Sequence, residues 1–163
     1  MKKVTKINEK RAKKDEIETI ITKIKFNDTE IPTIKYINST LHFNKEITCK
    51  GKKEALDEFI FKMQSLKKFF LETCEIENKE NDTIIAEVSF SEKGIIITAK
   101  IYLRNKEIEP LIIKTPLLRY VKKDGSYELN AEILNLLDEL KRSAVDYISG
   151  KTKFMQTTMN FGT

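Results

Sequence analysis

Apolar residues recur at three- and four-residue steps towards the end of the chain: Leu129, Ile133, Leu136, Leu137, Leu140, Ala144, Tyr147 and Ile148. That spacing stacks them on one face of an α-helix, with Asp138, Lys141, Arg142 and Ser143 on the other. Asn130 is suited to cap the first N–H groups, and Gly150 to end the helix in the left-handed conformation. A second stripe, Leu56, Phe59, Ile60, Met63, Leu66 and Phe70, predicts a helix from Lys52 to about Thr73. At this length it spans about 30 Å, enough to cross a small sheet. On both helices the apolar face predicts core, so Leu140→Ala should be costly and Lys141→Ala nearly free.

The remaining chain alternates in the manner of strands. Ile17 to Phe26 fits a helix through Ile17, Ile20, Ile21 and Ile24, and a strand through Ile20, Thr22, Ile24 and Phe26. Its β-branched density favours the strand. Pro32 opens an extended segment, and Thr33 to Phe43 reads as one long or two short strands, interrupted near Asn38-Ser39. Ile47-Thr48-Cys49 extends the pairing. Ile84, Ala86, Val88 and Phe90 then alternate inward, as do Ile95, Ile97, Ala99, Ile101 and Leu103 after a turn at Ser91–Gly94. Ile108 to Thr115 returns, and Pro110, with no N–H to donate, predicts an edge strand. Arg119–Lys123 and Ser126–Leu129, joined by Asp124-Gly125, predict a small hairpin with a type I′ turn. No internal repeat stands out. The order predicts an α+β fold: an antiparallel sheet of about five or six strands with two long helices packed on one face.

Charge changes the picture only when it is located. Of 30 basic and 25 acidic residues, Lys2, Lys3, Lys6, Lys10, Arg11, Lys13 and Lys14 fall within residues 1–14 against Glu9 alone, leaving the body close to neutral. The expected organisation is a disordered basic arm (1–14), a single α+β domain (15–150) and a C-terminal tail (151–163). The arm suits phosphates or an acidic partner; the alternative is a solubilising terminus. Met1-Lys2-Lys3-Val4-Thr5-Lys6 shows no apolar leader, and no apolar run approaches the roughly 18 residues of a membrane span, so a cytoplasmic protein without membrane contact is expected. Cys49 and Cys74 read as reduced thiols.

Motifs for chemistry are scarce. His42 stands alone, between Leu41 and Phe43, with no ligand partner at metal-site spacing. The five glycines form no phosphate loop, no serine sits in a nucleophile elbow, and Glu54/Glu58 lie among lysines as on a solvated helix face. The expectation is a non-enzyme without metal or other cofactor. In the tail, Gln156-x-x-Met159-x-Phe161 resembles bacterial sliding-clamp-binding peptides, which pair a glutamine with a bulky aliphatic and an aromatic residue. That resemblance implies docking of a protein partner through Gln156, Met159 and Phe161; the alternative is that the tail folds back on the sheet or assembles a homo-oligomer. Tyr36, Tyr102 and Tyr120 are candidate base-stacking residues on an uncovered sheet face. Together these features predict a DNA-associated accessory protein of a bacterium or a phage-like mobile element, its arm on phosphates and its tail on a replication or repair partner. The alternative is a small protein–protein binding module, an inhibitor or assembly factor, that binds no nucleic acid. Ligand binding beneath the helices is a third possibility.

Overall fold

The computed structural model describes residues 17–121, 124–125 and 128–153. Three strands come first, β1 (Glu18–Phe26), β2 (Pro32–Ser39) and β3 (Asn44–Lys50), followed by the helices α1 (Asp57–Gln64) and α2 (Lys67–Thr73). A short 3₁₀ turn (Glu80–Asp82) leads to β4 (Thr83–Phe90), β5 (Gly94–Ile101), β6 (Leu111–Lys114) and β7 (Leu118–Arg119), and α3 (Ala131–Ile148) closes the sequence. All pairings are antiparallel, in the order β3-β2-β1-β4-β5-β6, with β7 continuing along β5 beyond β6.

The α+β class, the antiparallel sheet and the edge position of the Pro110 segment are as the sequence predicts. The helix expected from Lys52 to Thr73 begins only at Asp57 and is interrupted at Ser65–Leu66. There the Ser65 hydroxyl donates to the Phe61 carbonyl (2.7 Å), and the Leu66 N–H turns to the carbonyl of Met63 instead of continuing the α pattern. The hairpin expected around Asp124-Gly125 is not formed among the described residues. Leu118 and Arg119 pair instead with Ile95 and Gly94 of β5, and the Arg119 N–H is taken by the Glu128 carboxylate (3.0 Å). Gly94 permits that approach, since a Cβ there would strike the Leu118 carbonyl.

Helix α3 follows its sequence signature. Asn130 accepts from the Ile133 N–H through its side chain (2.8 Å), and Ile133, Leu137, Leu140, Ala144 and Tyr147 are buried. Gly150 has φ +100°, with Gly150 N–H bonded to Tyr147 and Lys151 N–H to Asp146, the Schellman closure. Asn130→Ala is expected to cost about 1 kcal/mol in a thermal or urea melt, since it strips the cap from the longest helix. Packing carries on past the helix: Thr152 is buried, and Lys153 donates its N–H to the Glu54 carbonyl. The buried cluster draws Ile24, Ile34, Ile85, Val88, Ile95 and Ile97 from the sheet and Phe59, Met63, Phe70, Leu137 and Leu140 from the helices.

The sheet has an internal symmetry that the sequence reading did not find. β1-β2-β3 and a helical segment are followed by β4-β5-β6 and a helix, and the two units meet antiparallel at the centre. The seam is short: only Lys23, Ile24 and Lys25 pair, with Ser89, Val88 and Glu87. Each central strand has one extra residue at the equivalent place, Thr22 in β1 and Ala86 in β4. Aligned on those bulges, Thr19-Ile20-Ile21-Thr22 matches Thr83-Ile84-Ile85-Ala86, and Phe26 matches Phe90. The bulge reverses the alternation, which corrects the inward set. Ile21 and Ile85 are buried, while Ile20 and Ile84 face outward, 42% and 44% exposed.

Candidate functional site

Strand register collects lysines on one side of the sheet. Ile24 of β1 and its partner Ile34 of β2 are fully buried, so Lys23, Lys25, Thr33 and Lys35 stand on the opposite side by alternation. Following the pairings outward, one cross-strand row reads Lys50, Thr33, Lys25, Glu87, Thr98 and Lys114. The next reads Thr48, Lys35, Lys23, Ser89 and Ile96, and a flanking row reads Ile84, Lys100 and Ile112. Six lysines and several hydroxyls thus share a surface with Glu87, and the same registers place Glu46 of β3 and Glu18 of β1 on it, further along the strands.

Two of the six have partners: Lys23 pairs with Glu87 at 3.4 Å and Lys100 with Asp28 at 3.1 Å. Lys25, Lys35, Lys50 and Lys114 form no ion pair with a described residue. Lys23 lies directly opposite Lys35, with Lys25 one step along. Like charges in that relation repel, and an anion laid across them relieves the repulsion. A separate group of acidic residues, Glu72, Glu75, Glu77 and Glu80, lies around the α2–β4 connection.

At one end of the seam the sheet opens. β1 leaves β4 after Lys25, and a cleft of about 350 Å³ forms between the Asn27–Glu30 loop and β4. Phe26, Ile60, Ile84, Ala86 and Tyr102 give it apolar walls, and Lys67, Lys100, Asp28 and Glu30 stand at its rim. Where β4 has lost its strand neighbour, Gln64 of α1 replaces it. The Ile85 N–H donates to Gln64 Oε1 and Gln64 Nε2 donates to the Ile85 carbonyl, both at 3.0 Å. A second cleft, between Glu18–Ile21 and α3, is lined by Val145 and the charged Lys141, Arg142 and Asp146.

The three tyrosines singled out in the sequence are not brought together. Tyr36 and Tyr120 are half-buried and pack against the core, Tyr36 on the same side of β2 as Ile34. Burial, reinforced by Asp138, raises the Tyr120 phenol above its usual range. Tyr102 continues β5 by donating its N–H to the Asp82 carbonyl, which puts its ring on the Lys100 side, at the cleft. The arm residues Lys2, Lys3, Lys6, Lys10, Arg11, Lys13 and Lys14, and the tail residues Gln156, Met159 and Phe161, lie outside the described residues. His42 sits not on a strand but at the β2–β3 turn, between the exposed Leu41 and Phe43.

Among the described residues no cluster of three or more His, Cys, Asp or Glu side chains could hold a metal ion, and no helix is long and apolar enough to cross a membrane. Cys49 and Cys74 are free thiols, and burial raises the Cys74 thiol above its usual range. No protein-family model, curated protein or solved structure matches the chain.

Proposed function

We propose that this protein is a non-enzymatic, nucleic-acid-associated accessory factor that holds a phosphate backbone on the lysine side of its sheet. In this reading α1, α2 and α3 cover the Ile24 side and leave the lysine side open. The observation that carries it is the central group Lys23, Lys25 and Lys35, with Lys23 directly opposite Lys35 and Glu87 the one acid paired with it. The basic arm adds non-specific phosphate affinity, and the tail supplies a separate protein-docking peptide.

Binding of this kind releases counterions and weakens steeply with salt. Fluorescence anisotropy with a labelled 20-mer is expected to show affinity falling between low and physiological salt. Lys25→Glu with Lys35→Glu should reduce affinity at least about tenfold and flatten the log–log salt slope by roughly two, without lowering the melting temperature. Deleting residues 1–14 should weaken binding further and leave the effect of the double reversal in place. Unchanged affinity and slope in the double reversal would overturn the proposal.

One observation favours a second reading, a protein–protein module. The β3 edge carries Lys45, Glu46 and Lys50, charges that discourage strand addition, whereas the β6 edge exposes Leu111 and Ile112, the latter 65% accessible. A module of that kind would bind its partner with little salt dependence and ignore the double reversal.

A further inference from the structure

We infer that the cleft at the seam seats one unpaired nucleobase, so that the protein prefers single strands to duplex. The inference rests on the lysine side being a nucleic-acid surface and specifies how that surface distinguishes its ligand.

Position is the first argument. Ile84 pairs directly with Lys100, and Tyr102 follows Lys100 by two residues, so all three share the lysine side and also line the cleft. A strand whose phosphates lie along Lys25, Lys35 and Lys114 therefore passes its mouth. Size and chemistry are the second. A volume of about 350 Å³ admits a planar base, with Phe26 and Ile60 at its apolar walls and the Tyr102 ring offered for stacking. Lys67 at the rim can attract a phosphate flanking the inserted base, while Lys100 is paired with Asp28 and Glu30 adds a second carboxylate there. The third is the contrast with the second cleft, between Glu18–Ile21 and α3, whose lining holds Lys141, Arg142 and Asp146 and no aromatic ring. Among the described residues, this cleft thus joins a base-sized volume to an aromatic ring beside the lysine rows. A base in a duplex cannot reach such a cleft without unstacking and unpairing, which favours a strand already single.

The test compares one 20-mer as a single strand and as a duplex, by anisotropy at two salt concentrations. The wild-type protein should bind the single strand more tightly. Tyr102→Ala should weaken single-strand binding about tenfold, leave duplex binding and the salt slope unchanged, and be rescued by Tyr102→Phe to within about twofold. Ile84→Ala, at a 44% exposed position, should weaken single-strand binding a few-fold, and it tests the cleft even where loss of Tyr102 compromises folding. Lys25→Ala with Lys35→Ala should lower both affinities and flatten the salt slope. If that pair weakens binding while the Tyr102 and Ile84 variants match the wild type, the cleft inference fails and the lysine surface stands. If the lysine pair has no effect, or the wild type binds neither form, the underlying reading fails as well.

Discussion

Truncation of Leu140 to alanine is expected to lower folding stability by about 2–5 kcal/mol, read as a lower urea midpoint at unchanged slope. Leu140 lies in the middle of α3, wholly inaccessible, between turns that also bury Leu137 and Ala144. Helix α3 contacts both α1 and β1, so the void would open where helix, helix and sheet meet and little can collapse into it. The neighbouring Lys141→Ala is the control, and the structure revises its expected effect. Lys141 Nζ stands 4.9 Å from the centre of the Phe90 ring, a cation–π contact whose loss should cost about 0.5–1 kcal/mol and not almost nothing. Equal losses in the two variants would show that the buried face of α3 lies elsewhere.

Helix α3 was legible because nothing interrupts its period from Ile133 to Tyr147, and both ends carry residues whose capping roles are local. The strand faces were less so, because a bulge inserts one residue and reverses alternation. The helix-like spacing Ile17, Ile20, Ile21 and Ile24 is the trace of that insertion at Thr22, and Ile84-Ile85-Ala86 repeats it. The break in the helix left no mark, since Met63, Leu66 and Phe70 keep helical spacing across it and all three are buried. The internal symmetry shows in the sequence over little more than the central strands, where β1 and β4 share the bulge and the seam.

The lysine surface could not be read from the sequence alone. Each lysine, taken singly, is an ordinary outward residue of a strand, and the near-neutral body conceals how its charges are segregated. Lys50, Lys25 and Lys114 come into one row only through turn lengths and two bulges that fix five successive registers. The spacing of Lys23 and Lys25, two residues apart in a β-branched segment, was the available signal. The faces of the tyrosines were hidden for the related reason that face follows register. Tyr36 shares parity with Ile34 and turns to the core, while Tyr102 shares parity with Lys100 and turns away from it.

Replacing Gln64 by leucine is expected to destabilise the fold by about 2–4 kcal/mol and to loosen the seam selectively. β4 pairs with β1 only from Glu87 to Ser89, and two residues earlier its Ile85, wholly inaccessible, turns both backbone polar groups to the Gln64 amide. That amide offers one donor and one acceptor side by side, as a strand does, on a side chain one methylene longer than Asn. Leucine fills similar space and leaves the Ile85 N–H and C=O without partners, each costing about 1–3 kcal/mol, with water entering from the cleft to offset part. Gln64→Glu keeps an acceptor for the N–H but sets a carboxylate against the carbonyl, so it should lose about 1–3 kcal/mol. Ser65→Ala, one residue on, removes only an exposed bond to the Phe61 carbonyl and should stay within about 0.5 kcal/mol of the wild type. Hydrogen exchange gives the local readout: in Gln64→Leu the Ile85 amide should lose protection well before those of α3. A Gln64→Leu protein that melts with the wild type and keeps its Ile85 amide protected would show that β4 holds its place without the glutamine, and that the seam is closed by side-chain packing alone.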